Sequence, residues 1–258
     1  MSSMLEKFAE AKAEEIASLK VLAASGAFPE PLIVQRPQFK AGLLQPGPQV
    51  IAEYKRASPS KGDINLAASP AETAEAYAKA GAAALSVLTE EVYFKGKLEF
   101  LAQMTGPGLP LLRKDFILHP LQVRATLATP ASAILLIVRM VTDAELRNLY
   151  EVCTENGLEA VVEVFDQVDL DRAQMISPEI IQVNNRDLDT LQTDLAVSER
   201  LIAGKQDGQA FICASGISRP DEVTRLHELG FDAFLVGTSL MSGADPGQAL
   251  ATLTGRNT

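Results

Sequence analysis

Glu53 and Lys55 stand two residues apart at the end of the apolar run Val50–Ala52, a spacing that puts both side chains on one face of a strand. Opposite charges this close offset each other's cost of burial, so the pair fits a structural ion pair and a catalytic couple equally well. Glu163 lies between Val162 and Val164, after Ala160 and Val161. A carboxylate in so apolar a run either finds a partner or has its pKa raised, and a raised pKa suits a general acid or base. Arg113 with Lys114, Asn184 with Arg186, Ser215, and Gly237 with Thr238 also end apolar runs. The turns Ser215-Gly216-Ile217 and Gly237-Thr238-Ser239 offer small residues and backbone N–H groups to a phosphate, and Lys55 offers the same anion a cation. Acid, base and anion-binding groups are therefore all available for proton transfer on a phosphorylated substrate.

Such groups cooperate only if the chain brings strand ends together. Eight short apolar runs occur, at Val50–Ala52, Ala84–Leu88, Leu109–Leu112, Ala133–Val138, Ala160–Val164, Ile180–Val183, Phe211–Cys213 and Ala233–Val236. Runs this continuous suit strands buried on both faces, and segments such as Ala71–Ala80, Asp143–Asn156 and Asp221–Leu229 are long enough for crossover helices. Eight strand–helix units predict an α/β fold of the (β/α)8 TIM-barrel type, in which the C-terminal strand ends share one mouth. The rival open sheet is disfavoured, because no GxGxxG follows the first strand and no GxxxxGK[ST] occurs. Gly81 and Gly230, each just before a strand, fit helix C-caps.

Ahead of the barrel, residues 4–23 predict an amphipathic helix with Leu5, Phe8, Ala9, Ile16, Leu19 and Ala23 on one stripe, interrupted by Lys12. Pro29, Pro31, Pro37, Gly42, Pro46, Gly47 and Pro48 follow, which predicts extended chain without another regular element. The expected organisation is one barrel domain over 1–258, with 1–48 as its helical and extended appendage and 49–258 as the barrel.

Of 258 residues, 47% are hydrophobic, and 23 Lys and Arg face 33 Asp and Glu for a net charge of −10. That balance disfavours nucleic acid and anionic membrane as partners, so an anionic substrate must be met by a few cations gathered in one pocket. Cys153 and Cys213 lack metal-binding spacing, and with His119 and His227 they build neither a disulfide framework nor a zinc site. No metal is expected. Glu6, Glu10, Glu14 and Glu15 occupy the place of a basic signal-peptide start, and the stretch Ala133–Val138 is too short to span a bilayer. The expectation is a cytoplasmic protein, a monomer or weak homodimer, with a small phosphorylated molecule as its partner.

The stretch VIAEYKRASPSKGDI at 50–64 resembles the signature of indole-3-glycerol-phosphate synthases. The likeness continues in order through GAAALSVLTEEVYFKGKLEFL at 81–101, LLRKDFIL at 111–118, AILLIV at 133–138, VVEV at 161–164, VNNRDLDTL at 183–191, SGIS at 215–218 and FLVGTSLM at 234–241. The N-terminal helix resembles the extension that this family carries before its barrel. The resemblance implies a cofactor-free enzyme of tryptophan biosynthesis that closes 1-(2-carboxyphenylamino)-1-deoxyribulose 5-phosphate to an indole with loss of carbon dioxide and water. It further implies Lys114 as general acid toward the ribulose carbonyl, Glu163 as the base, and Glu53 holding Lys55 near the phosphate or the departing hydroxyl. Asn184 and Arg186 match positions near the substrate's polar groups, with Arg186 suited to a carboxylate or to a loop ion pair. Ser215 joins them, while Phe94 and Phe116 match aromatics that enclose the anthranilate ring or pack in the core. Ser58 and Lys61 belong to the loop that covers the site.

Ala214 stands where family members usually carry Glu, before the Ser-Gly-Ile turn. His119, Leu121 and Phe165 also depart from common family residues. The other readings are a different phosphate-binding barrel such as phosphoribosylanthranilate isomerase, which is not expected to carry the SPSKG loop or the N-terminal helix, and a catalytically altered or non-catalytic paralogue. Retention of Glu53, Lys55, Lys114 and Glu163 together opposes the last, since buried charges without use cost stability. If Ala214 only weakens catalysis, Ala214→Glu is expected to raise turnover, whereas no change or a fall in the measured rate marks a rearranged neighbourhood.

Overall fold

Valine, isoleucine, leucine and alanine runs form eight parallel strands: β1 (Gln49–Tyr54), β2 (Ala84–Leu88), β3 (Leu111–Lys114), β4 (Ala133–Ile137), β5 (Glu159–Val164), β6 (Ile180–Asn184), β7 (Ala210–Ala214) and β8 (Ala233–Val236). In this computed structural model, which describes residues 3–255, each strand pairs with its chain neighbours and β1 pairs with β8, closing the barrel. The two-residue side-chain period divides the strands' apolar groups into two cores. Ile51, Ala84, Leu112, Leu135, Val161, Ile180, Ile212 and Leu235 fill the barrel, whereas Val50, Leu85, Ile134, Val162, Ile181, Phe211 and Phe234 face the helices.

The expected strands lie close to the observed ones except the third, which begins two residues later than Leu109. Pro110 has no N–H to give the ladder and only accepts, from Leu85 N at 2.9 Å. The shift places Arg113 and Lys114 within β3, with Lys114 in register with Leu88. Crossover helices include α3 (Pro70–Lys79), α5 (Pro120–Leu127), α6 (Asp143–Glu155), α7 (Gln167–Gln174) and α9 (Pro220–Glu228), besides the short α4 (Phe100–Gln103) and α8 (Ala196–Leu201). After β8 come α10 (Thr238–Met241) and α11 (Pro246–Leu253). His119, one of the departures noted above, caps α5: its Nδ1 accepts from Leu121 N at 3.1 Å.

Two expectations about the first 48 residues need correction. The segment after the first helix does contain a regular element, α2 (Phe39–Leu43), because Phe39 and Leu43, four apart, both bury completely in the barrel-side core. The Glu159 carboxylate at the start of β5 accepts from the backbone N–H groups of Phe39 and Lys40, fixing the N-terminus of α2 against the barrel.

In α1 (Met4–Ser25), Lys12 is no interruption: it is 4% exposed, in the middle of the buried face between Phe8 and Leu19. Its Nζ lies 2.8 Å from Asp115 Oδ1 and also pairs with Glu15. Asp115 accepts in turn from Arg113 Nη2 at 2.8 Å and Thr89 Oγ1 at 2.6 Å. Three chain segments thus share one buried carboxylate. Lys12→Met removes one of its two cations, and the expected loss is about 2–3 kcal/mol in urea unfolding, below the full cost of an unpaired buried charge because Arg113 remains; a variant as stable as the parent contradicts this role.

Candidate active site

Glu53 ends the inward face of β1 and is 1% exposed. A lone carboxylate so placed would sacrifice its hydration, but here Lys55 Nζ lies 2.8 Å from Oε1 and Lys114 Nζ 2.8 Å from Oε2. Burial pushes the Glu53 pKa up, yet the fields of Lys114 and Lys55 prevail and bring it down to about 2. The lysines respond in opposite directions. For Lys55, burial is the larger effect, assisted by the positive charges of Lys114 and Arg186, and its pKa falls below the usual lysine value despite Glu53. For Lys114, burial also pulls downward, but Glu53 and Glu163 together outweigh it and hold the ammonium above its usual value.

Glu163, on β5, is 2% exposed, and burial raises its pKa against the opposing effects of Lys114 and of the Gln182 and Asn184 amides. The mouth shared by these groups is a hollow of about 760 Å³, part of it open to solvent. Ser58, Phe94, Phe116, Asn184, Arg186, Ser215 and Thr238 reach it together with Glu53, Lys55, Lys114 and Glu163. With Ile137 of β4, residues from all eight strand ends or the loops after them thus meet at one place.

Three expected residues are not on its wall. Lys61 is exposed at the tip of the loop after β1, where Ala57–Ser58 and Gly62–Asp63 form a two-stranded ribbon that carries the side chain outward. Gly216 does not line it either; a Cβ there would meet Leu195 and Thr193 of the preceding loop. Gly237 instead backs Glu53, since a Cβ there would sit 2.2 Å from Glu53 Oε1. The glycine leaves room for the carboxylate that both lysines use.

Loop anchors explain how the remaining groups are held. Ser215 has φ 68, a left-handed conformation that costs a residue with a Cβ, and Asn185 secures the turn. Asn185 Nδ2 donates to Ala214 O at 3.0 Å and Ser215 O at 3.1 Å, while its Oδ1 accepts from Ser198 N at 3.0 Å. Arg186 Nη1 donates to Leu191 O at 2.7 Å, so of the two expected uses, a substrate carboxylate or a loop ion pair, the loop is ordered by a backbone carbonyl and the side chain still faces the hollow. Glu90 accepts from the N–H groups of Val92, Tyr93 and Phe94 at 2.8, 2.8 and 2.9 Å, fixing the loop that presents Phe94. The ribbon after β1 is tied to that same loop by Lys95 and Asp63, 2.5 Å apart.

Sequence reasoning missed Phe8 as a wall residue. Its ring stacks on Phe116 with centroids 4.2 Å apart and planes at 14°, and Tyr93 meets it edge-on at 5.2 Å. The amphipathic stripe predicted burial but could not tell that α1 inserts an aromatic into the mouth. Asn185 and Glu90 were also missed, since their work is to hold backbone that sequence spacing does not locate. Ala214, wholly buried, pairs with Asn184 and Leu235 and packs with the barrel-side core, so an acid at this position would enter the same interior. No group of three or more His, Cys, Asp or Glu among the described residues is placed to hold a metal ion.

Gly237→Ala would drive a methyl into Glu53 and displace the anchor of both lysines. A loss of at least about 100-fold in kcat/KM is expected, as for a catalytic group moved by roughly 1 Å; unchanged kinetics would contradict the close approach.

Solved structures share this architecture. The 3-hexulose-6-phosphate synthase from Salmonella typhimurium superposes with a TM-score of 0.63 at 12% identity, over 81% of this chain and 100% of that one. The N-acetylmannosamine-6-phosphate 2-epimerase from Clostridium perfringens gives 0.59 at 15% identity, over 84% and 96%. At these identities the likeness speaks for the barrel alone. Sequence relatives go further: the indole-3-glycerol phosphate synthase of Magnetococcus marinus is 39% identical over 98% of both chains, and that of Aquifex aeolicus 43% identical over 88% of this chain and 90% of its own. With the model of the indole-3-glycerol phosphate synthase family matching residues 5–253, the chain belongs to that family.

Proposed function

We propose that this protein is an indole-3-glycerol-phosphate synthase that converts 1-(2-carboxyphenylamino)-1-deoxyribulose 5-phosphate to indole-3-glycerol phosphate, carbon dioxide and water. The observation that carries this reading is the single carboxylate of Glu53 shared by Lys55 and Lys114, facing Glu163 across a pocket with an aromatic wall. Phe94, Phe116 and Phe8 offer the anthranilate ring an apolar enclosure, and Asn184, Arg186 and Ser58 offer hydrogen bonds to its carboxylate and to the sugar hydroxyls. Ser215 and Thr238, with the turns at Gly216 and Gly237 behind them, are placed to receive the phosphate, and Lys55 offers it an ammonium.

Ring closure begins when the aromatic carbon bearing the carboxylate attacks the ribulose carbonyl. Lys114, kept protonated by Glu53 and Glu163, donates its proton as charge develops on that oxygen. Carbon dioxide then leaves and returns its bonding electrons to the ring. Glu163, whose raised pKa brings it nearer neutral pH, removes the proton whose loss re-forms the double bond, and the hydroxyl leaves as water on taking a proton from an ammonium of the mouth. Lys55, easier to deprotonate than an ordinary lysine, holds the phosphate or assists the departing hydroxyl, while Glu53 keeps both ammonium groups in place.

Ala214 is the observation favouring an altered or non-catalytic relative. Its lack of charge leaves Lys55, Lys114 and Arg186 as the cations of the mouth, with one carboxylate fewer beside them than the family pattern sets there. Three cations gathered at one mouth suit a substrate with a phosphate and a carboxylate, which supports the catalytic reading. Contacts of Phe8 with Phe116 and of Lys12 with Asp115 support the appendage before residue 49 and the barrel as one working domain. Two buried free cysteines fit a cytoplasmic enzyme, monomeric or weakly dimeric.

Purified protein is expected to form a fluorescent indole product from the carboxyphenylamino-ribulose phosphate without added metal or nucleotide. Lys114→Met should abolish the product while leaving a phosphorylated ligand bound. Unchanged product formation in that variant would overturn the mechanism, and no product from the parent protein would overturn the function.

A further inference from the structure

Gln182 lies on β6 in register with Glu163 on β5 and Ile212 on β7, wholly buried and off the pocket wall. Its Nε2 donates to Glu163 Oε2. The other end of the amide, Oε1, is buried without a hydrogen-bond partner among the described residues. Native interiors rarely leave an acceptor in that state, so this one asks for a reason. We propose that Gln182 is a positioning residue that follows the proton of Glu163: Nε2 donates to the ionised carboxylate, and after a half-turn of the amide Oε1 accepts from the protonated acid.

The missing second bond is what permits the turn. An amide held at both ends would have to break one hydrogen bond to reverse; this one exchanges donor for acceptor toward Glu163 and again leaves one end of the amide unmatched, Nε2 in place of Oε1. Few side chains carry both functions at equal reach, and an amide is one of them. The surroundings also favour it, because Val161, Ile180 and Ile212 line the adjacent barrel interior and give Glu163 no alternative partner there. Other groups act on Glu163 from different sides: Lys114 on β3 opposes its protonation, Glu53 on β1 promotes it, and the Asn184 amide on β6 favours the charged form. Lys55 and Arg186 share the mouth, and β4 contributes only apolar Leu135 and Ile137. Each of these keeps the same preference whether or not Glu163 is ionised. Asn184 is an amide too, but its Oδ1 already accepts from Arg186 N at 3.0 Å, so Gln182 is the amide placed to serve both states, which a residue that takes up a proton and must then release it requires.

The inference rests on Glu163 as the base of the proposed reaction, and the test separates the two. Profiles of kcat/KM against pH are compared for the parent, Gln182→Met and Gln182→Glu. A base works ionised, so activity declines as pH falls through the Glu163 pKa. Methionine removes the donor to the charged form, and the acid limb is expected to move upward by about one pH unit, about a tenfold loss below it. Glutamate makes two carboxyls share a proton, and the limb should move up further and separate into two apparent steps. A uniform loss at every pH in both variants, or no change in either, overturns the proposal by reducing Gln182 to packing.

In the parent protein the Gln182 side-chain 15N amide signal should titrate with the midpoint of that limb, and the titration should vanish in Glu163→Gln. A signal indifferent to pH overturns the amide's role even where the variants fail to fold. Absence of ring closure in the parent would sink the functional reading alone, because the amide titration needs no substrate.

Discussion

One buried carboxylate holds the catalytic end of this barrel together. Glu53 gives up its hydration and recovers the loss by accepting from two ammonium groups, one from its own strand end and one from β3. Its charge favours the ammonium form of both lysines, and the same oxygen pair places the two nitrogens on either side of a fixed point. Burial pulls both lysines down and Glu53 pulls both up; Lys114 has a second carboxylate, Glu163, in view and stays protonated, whereas for Lys55 burial prevails, with Lys114 beside it, and it gives up its proton more easily. A shared anchor thus produces two chemically different amines. Gly237 is part of the arrangement, because any side chain there would occupy the space of the carboxylate.

Around that point the molecule is built in supporting layers. Lys114 ends a strand whose next residue, Asp115, is clamped by Arg113 and Lys12. Residues 113–115 therefore alternate between duties: Arg113 and Asp115 secure the strand end to helices α1 and α5, and Lys114 points inward. The same contact of α1 brings Phe8 onto Phe116, so one helix both stabilises the strand and furnishes the pocket with an aromatic face. On the opposite side, Asn185 holds the Ser215 turn while its neighbours Asn184 and Arg186 face the hollow.

Much of this was legible in the sequence. Strands buried on both faces announce themselves as continuous apolar runs, and a polar residue ending such a run in a parallel barrel has the mouth as its destination. Glu53, Lys55, Lys114 and Glu163 could be picked out on those grounds, and the pocket gathers them. Less visible were interactions between segments distant along the chain. Lys12 reads as a blemish on a helical stripe because its partner lies about 100 residues away, just past a strand whose position local pattern misplaced by two residues. Phe39 and Leu43 form a helix only because the barrel's base gives them something to cover, so a count of prolines and glycines pointed to extended chain. Gly237 read as a phosphate contact for its smallness, and the neighbour that requires the smallness proved to be Glu53.

The central claim, that Glu53 supports the charge of two adjacent lysines whose surroundings set them at opposite sides of their ordinary pKa, is tested most directly by following the ε-carbon signals of Lys55 and Lys114 against pH in isotope-labelled protein. The account expects Lys55 to titrate below a solvent-exposed lysine and Lys114 above it, with both displaced downward in Glu53→Gln. Coincident titration of the two lysines at the ordinary value, unmoved by Glu53→Gln, would contradict it.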